Sequence, residues 1–317
     1  NVRFIKRCFS CFFPNDTSFQ NCNFRYFMYN IEVVHSKRED DTMKLKRSER
    51  LIDMTQRLLD NPHTLISLTT FTTLYQSAKS SISEDIAIIK KTFEKQGVGI
   101  IRTVPGAAGG VIFVPKIKRE QALAAAEKLK EQMNDASRLL PGGYIYLSDL
   151  LAKPNVLHDL GKMIASAYED KKIDAVMTVA TKGVPIAQTV ANYLNVPFVI
   201  VRRDSKITEG STVSINYVSG SSSRVEKMEL SKRTLPSGSN VLIVDDFLKA
   251  GGTINGMRSL IQEFDSTTAG AVVFCESGVS NHNVSDYSSI IKITEIDTES
   301  QKIKAVLGNF FDTHEFL

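Results

Sequence analysis

The chain has 317 residues, 42% of them hydrophobic, which is ordinary for a globular protein and enough for two domains with real cores. No stretch approaches the ~20 consecutive apolar residues that a membrane-spanning helix needs, so no membrane partner is expected. The formal charge of +4 hides an asymmetry: residues 43–119 carry thirteen bases against six acids, residues 139–317 carry 17 against 20, and a polyanion partner is expected for the first part only.

Residues 1–42 read unlike the rest. They begin with Asn, crowd in Phe without helical or strand period, and end in a charged run from Lys37 to Asp41. An extension with no fold of its own is expected here, or a start placed upstream of Met43; an aromatic-rich arm that docks on a partner is the rival reading. Cys8, Cys11 and Cys22 lie in this segment and Cys275 lies in an apolar run. No disulfide framework follows, and a reducing cytoplasmic setting is expected. Cys8-x-x-Cys11 with Cys22 and His35 fits no standard zinc finger, so no metal site is expected.

From Leu45 to Leu59 apolar residues recur at helical spacing, and Asn61-Pro62 stops the pattern. "LISLTTFTTLYQ" predicts a short second helix. "SAKSSISEDIAIIKKTFEKQG" predicts a third, capped by Ser83 or a neighbouring Ser, with Glu84 and Asp85 in its first turn. Ile82, Ile86, Ile89 and Phe93 share one face, and Gly97 ends the helix. "VGIIRTV" and "VIFVP" flank "PGAAGG" and predict two strands with a glycine-rich tip. Three helices and a hairpin over 43–116 make a winged helix-turn-helix, a DNA-docking design.

An Ala/Lys/Glu-rich linker helix is predicted over 117–138, and "LLPGGYIYLSDLL" starts a new unit over 139–317. Helix 154–170, strand 173–180, helix 184–194, strand 197–203, strand 240–246, helix 252–264, and strands 270–277 and 289–296 then follow. Between them lie a polar Ser/Gly-rich stretch, 204–224, and "VEKMEL", 225–230. This alternation predicts an α/β fold with a mostly parallel sheet and helices on both faces, binding ligands at the carboxyl ends of the strands.

"VLIVDDFLKAGGTING", Val241 to Gly256, is the sharpest local signal. An apolar strand ending at Val244 places Asp245 and Asp246 at the carboxyl edge. After Phe247, Lys249 and Ala250, the Gly251-Gly252 pair allows a tight turn, and a helix opens near Thr253. Free helix N–H groups with a positive dipole end suit one phosphate; Lys249 adds a cation, Thr253 a hydroxyl, and the aspartates accept hydrogen bonds from sugar hydroxyls. A sugar phosphate fits this set better than a bare phosphate. No Gly-x-Gly-x-x-Gly follows a first strand and no Walker sequence is present, so nicotinamide and P-loop sites are not expected.

Apolar-run–Asp-Asp–x4–Gly-Gly-Thr resembles the phosphoribosyl pyrophosphate motif of type I phosphoribosyltransferases. The resemblance implies that Asp245 and Asp246 hold the ribose hydroxyls and the following loop the 5-phosphate. It also implies a pyrophosphate loop after the first core strand, matched by Ala180, Thr181, Lys182 and Gly183 in "VATKGVPIA", and a flexible closing loop, matched by Lys206 to Ser223. More widely, residues 43 to about 315 resemble the purine operon repressors of Gram-positive bacteria. The stretches "AKSSISEDI", "TVPGAAGGV", "LLPGGYIYLSDLL", "VMTVATKGVPIA" and "TEGSTVSINYVSGSSS" carry that likeness with the motif above. The resemblance implies a homodimeric repressor of purine synthesis and transport genes. It would bind double-stranded DNA and release it when phosphoribosyl pyrophosphate, with Mg²⁺, accumulates.

Many phosphoribosyltransferases place hydroxyl residues where this chain has Lys249-Ala250, and "LLPGGYIYLSDLL" offers no evident base-reading set. A ligand sensor without catalysis is therefore expected. An active purine phosphoribosyltransferase with an appended nucleic-acid-binding domain and an RNA-binding scaffold are the alternatives. Tyr144 stacks on a base or ribose, or is a packed hood tyrosine. A guanine nucleotide bearing a pyrophosphate would fit the same phosphate nests. For DNA, the expected contacts are Lys79, Ser80, Ser81 and Ser83 at the start of the third helix. Lys44, Lys46, Arg47 and Arg50 flank the first, and Arg102 lies in the wing.

Overall fold

The computed structural model describes residues 45–106, 109–204, 208, 210–218, 225–278 and 281–316. The expectations for 1–42 and its cysteines, and the assignments of Lys44 and Lys206, lie outside them.

The N-terminal domain opens with α1 (Arg47–Asp60), β1 (Leu65–Ser67) and α2 (Leu68–Tyr75). Gln76, in the left-handed region at φ 47°, turns the chain into α3 (Lys79–Gln96). Strands β2 (Gly99–Val104) and β3 (Gly110–Pro115) form the wing, and β1 adds to β3 on its far side. Met54, Leu58, Phe71, Tyr75, Ile82 and Phe93 fill the core. The helical face of α3 reaches back to Ile82, which is fully buried, so the helix starts at Lys79 rather than near Ser83. Ser83 is no cap: its hydroxyl donates to Lys79 O at 2.9 Å. Asp85 sits in the second turn, fully buried, and accepts from Arg50 Nε at 2.6 Å and Arg47 Nε at 3.0 Å. Gly97 closes the helix at φ 66°.

The expected linker helix, α4 (Arg119–Met133), is part of the second domain's core. Its Ala122, Ala126, Leu129 and Met133 are buried with Leu160, Ile290 and Phe310. A short hairpin, β4 (Leu139–Leu140) and β5 (Tyr144–Ile145), and α5 (Ser148–Leu151) lead into the α/β body. The body runs α6 (Pro154–Ala167), β6 (Ala175–Val179), α7 (Val184–Leu194), β7 (Phe198–Val201), β8 (Thr212–Val218) and β9 (Val225–Ser231). It continues with β10 (Asn240–Leu248), α8 (Gly252–Gln262), β11 (Thr267–Ser277), β12 (Ser288–Asp297), β13 (Lys302–Leu307) and α9 (Phe310–Thr313).

Six strands form one sheet in the order β13-β12-β11-β10-β6-β7, parallel except for β13. Alternate residues of β10 serve opposite faces. Leu242 and Val244 pack with α4, α6 and α7, whereas Val241 and Ile243 pack with α8 and the β8–β9 hairpin. Helices on both faces explain why all of Ala175–Val179 is buried and apolar apart from Thr178. Thr212–Val218, read from composition as part of a flexible loop, is a strand paired along its length with β9. Its Tyr217, with Met228 of β9, lies over Gly256, where a Cβ would come within 3.1 Å of the Tyr217 ring and 2.8 Å of Met228 Sδ.

Candidate functional site

Counted along the chain, the parallel strands follow the order 2-1-3-4-5, so the direction in which strands are added reverses between β6 and β10. A doubly wound sheet has its crevice at that switch point. The two strands pair only as far as Ile243 against Met177. β6 then turns away at Ala180, while β10 continues to Leu248 because Phe247 and Leu248 pair with Cys275 and Glu276 of β11. Asp245 and Asp246 therefore lie within the strand and line the notch; they do not follow a strand that ends at Val244.

The pyrophosphate-loop residues come to the same notch. Thr181 Oγ1 donates to Asp246 Oδ1 at 3.3 Å. Gly183 backs onto Asp245: a Cβ there would lie 2.8 Å from Asp245 Oδ1 and 2.6 Å from Thr178 Oγ1. Asp245 is buried and accepts the Asp246 N–H at 2.9 Å. Burial, and then the neighbouring Asp246 carboxylate, push its carboxyl well above the usual carboxylate range. Asp246 and Phe247 are half-buried, the latter against the α6–α7 core.

Two helices start at this notch without a side-chain cap, α7 after Gly183 and α8 after Gly251. Their first-turn N–H groups and positive dipole ends are anion donors. Lys182 and Lys249 are exposed beside them; Ala180 and Thr181 are exposed, and Ala250, Gly252 and Thr253 are half-buried. Lys249 Nζ lies 5.7 Å from the centroid of the Tyr144 ring, which is 64% exposed. Tyr144 is thus an open face at the crevice mouth, not a packed hood residue.

A strap over 281–287 holds the glycine turn, and no periodicity in its polar sequence marks it. Asn283 N–H donates to Ala250 O at 2.9 Å, and Asn255 Nδ2 to Asn283 O at 2.7 Å. At Gly251, φ is +93° and a Cβ would lie 2.3 Å from Val284 Cγ1. Gly251→Ala is expected to cost about 1–3 kcal/mol from backbone strain alone. A thermal melt checks this, and an unchanged midpoint would refute it.

Of the assigned DNA contacts, Lys79, Ser80 and Ser83 are exposed at the N-terminal end of α3, and Ser81 is half-buried. The second helix and the three residues Gln76–Ala78 set this end forward, the helix-turn-helix arrangement. Lys46 is exposed at the N-cap of α1, where its backbone N–H donates to Glu49 Oε2 at 2.8 Å. Arg47 is half open and paired to Glu84 and Asp85. Two assignments are corrected. Arg50 is buried on Asp85, because that carboxylate needs a partner inside the domain. Arg102, its side chain 47% exposed, is engaged by Glu169 and, at 3.3 Å, by Asp170 of the second domain.

Among the described residues no helix is long and apolar enough to cross a membrane, and no group of three His, Cys, Asp or Glu is placed to hold a metal ion.

Residues 46–115 match the family described as "Bacterial purine repressor, N-terminal", and residues 147–305 match "Phosphoribosyl transferase domain". The chain is 58% identical over 272 residues to the "Probable purine biosynthesis transcriptional regulator PurR" of Streptococcus pneumoniae, covering 85% of this chain and 99% of that one. It is 55% identical to the "Purine biosynthesis transcriptional repressor PurR" of Bacillus subtilis, covering 84% and 94%. With the "Purine biosynthesis transcriptional activator PurR" of Lactococcus lactis it shares 53% identity, covering 84% and 99%. These relatives are named as regulators, not as enzymes.

Proposed function

Because the chain belongs to the family of bacterial purine biosynthesis transcriptional regulators, we propose that it represses purine synthesis and transport genes and releases their operators when phosphoribosyl pyrophosphate fills the switch-point crevice. One observation carries the ligand: an acidic pair that takes sugar hydroxyls stands between two uncapped helix starts that take phosphates. A ligand with a phosphate at each end of a ribose spans that set. Mg²⁺ fits as part of the ligand, held by its pyrophosphate, since two carboxylates are too few for an all-protein site. A guanine nucleotide bearing a pyrophosphate would compete for the same donors. With Lys249-Ala250 in place of paired hydroxyls, and Tyr144 at the mouth, the crevice binds and does not turn over.

The output is α3. Lys79, Ser80 and Ser81 at its open end meet phosphate and base edges in the major groove, with Lys46 and Arg47 on the backbone. A homodimer would present two such ends to a two-fold operator. Lys79→Ala is expected to weaken binding to every DNA sequence alike and to lower the slope of log K against log salt by ~1. Sequence-selective weakening at an unchanged slope would contradict the phosphate role.

The whole reading is tested by selecting genomic fragments on the protein with and without phosphoribosyl pyrophosphate and Mg²⁺. Retention of purine-gene promoters, released by the ligand, is the expected result. Retention only in the ligand's presence would reverse the proposed direction of the response, and sequence-blind retention would end the proposal.

A further inference from the structure

The DNA-binding domain and the crevice sit at opposite edges of the sheet. The crevice lies at the carboxyl ends of β6 and β10. The winged helix is held at the amino end, by the last turns of α6 and the residues that follow α6 and α7. Lys162 of α6 donates to Gly97 O at 2.7 Å, and Ser166 accepts from Ile117 N–H at 3.0 Å. Glu169, its side chain only 1% exposed, takes Arg102 and, at 3.0 Å, Lys116. A buried carboxylate bound by two cations from the other domain is a firm attachment, since removing either side strands a charge.

The second attachment is different. Asn195 ends α7 in the left-handed region, at φ 54°. Its Nδ2 donates across the junction to Pro62 O at 3.0 Å and Thr64 Oγ1 at 3.2 Å. Both partners lie in the turn between α1 and β1. Beside this contact the two domains leave an open cleft of about 910 Å³, bordered by Leu59, Asp60 and Pro62 on one side and by His158, Asn192 and Tyr193 on the other. The winged helix is therefore fixed at Glu169 and tied more lightly at Asn195, where His63 of the same turn also meets the Tyr193 backbone, with room to move beside this tie.

One helix joins the two edges. α7 has 11 residues, a rod of roughly 16 Å. Its first turn begins at Gly183, where a Cβ would lie 3.2 Å from Asp245 Cα; its last residue is followed by Asn195. A ligand that repositions Asp245 or the 180–183 loop acts directly on the start of this rod.

We propose that α7 carries occupancy of the crevice to the winged helix, with Asn195 as the positioning residue at its output end and the Glu169 link as the pivot. The inference rests on the reading of the crevice as the effector site. Ligand and DNA then oppose each other without touching the same atoms.

The test compares the full chain with Asn195→Gly, which keeps the left-handed backbone and removes the amide. Affinity for an operator fragment is measured across a titration of phosphoribosyl pyrophosphate with Mg²⁺, and ligand affinity is measured without DNA. In the variant, each affinity taken alone stays within about twofold of wild type. The factor by which ligand weakens DNA binding, on the order of 5–150 for allosteric proteins, falls to about 1–2. Thr64→Val, which removes one acceptor from the other domain, lowers the same factor by a smaller amount and adds nothing to Asn195→Gly. It also serves if the glycine variant does not fold. A coupling factor unchanged in both variants overturns the relay alone. A wild-type protein whose DNA affinity ignores bound ligand overturns the effector reading, and the relay with it.

Discussion

Asp245→Ala combined with Asp246→Ala is expected to leave a protein that binds operator DNA as wild type does and keeps hold of it at ligand concentrations that release wild type. Losing the Asp246 carboxylate removes a charge-assisted hydrogen bond to a ribose hydroxyl, worth about 1.5–3 kcal/mol, and losing the protonated Asp245 removes a neutral one, worth about 0.5–1.5 kcal/mol. Together the two losses weaken ligand affinity by a factor of roughly 30 or more. DNA affinity stays because the acidic pair is at the edge of the sheet remote from α3. A titration of phosphoribosyl pyrophosphate against a labelled operator fragment reads both halves, and release at the wild-type concentration would place the effector elsewhere. The single Asp245→Asn has a second signature. The folded-state pKa of Asp245 lies above its unfolded value, so the native state holds a proton that the unfolded state has lost. Stability therefore declines as pH rises from the usual carboxylate range through the folded value. Asparagine removes that decline and keeps an acceptor for the Asp246 N–H. The variant is expected to melt higher than wild type at pH 7 and about equally at pH 4. Parallel pH profiles would refute the assignment.

Asp85→Ala is expected to abolish DNA binding by unfolding the winged helix. Asp85 is fully buried beside two arginines, and the Arg50 side chain, 10% exposed, reaches little solvent to offset its charge. Removing one partner of such a pair costs about 3–5 kcal/mol, against a total stability for a domain of ~5–15 kcal/mol. Lys79→Ala, at the exposed first position of the same helix, should leave the melt unchanged. Amide hydrogen exchange across α1 and α3 distinguishes the two: protection is lost in Asp85→Ala and kept in Lys79→Ala. Native protection in Asp85→Ala would show that Arg50 finds another partner. Ligand binding in the crevice should survive in both variants, because the second domain has its own core.

Period and punctuation made much of this protein legible. The stripe Ile82, Ile86, Ile89, Phe93 is the buried face of α3, and Gly97 is its left-handed stop. α7 spans 184–194 as its pattern predicts, and the Asp-Asp and Gly-Gly positions meet the 180–183 loop at one notch. What was not legible depends on partners far along the chain. Asp85 looked like a first-turn acid because acids favour helix starts; only Arg50, 35 residues away, makes it a buried anchor. β10 runs past its aspartates because β11 offers paired backbone there, and nothing local says so. Thr212–Val218 is polar enough to pass for a loop until β9 pairs with it. Arg102 was assigned to DNA on its charge and position, but a buried glutamate 67 residues on claims it. The antiparallel edge strand Lys302–Leu307 alternates lysine and apolar residues only as far as Ala305, a weak signal in so short a segment.

Placing input and output on opposite edges of one sheet has an evolutionary consequence. β6 alone separates them by five residues, roughly 17 Å, beyond the ~7–10 Å within which substitutions usually interfere with one another. Changes around the crevice and changes along α3 should therefore add. A lineage can retune which promoters it reads, or how much ligand it takes to answer, one substitution at a time and without repairing the other property.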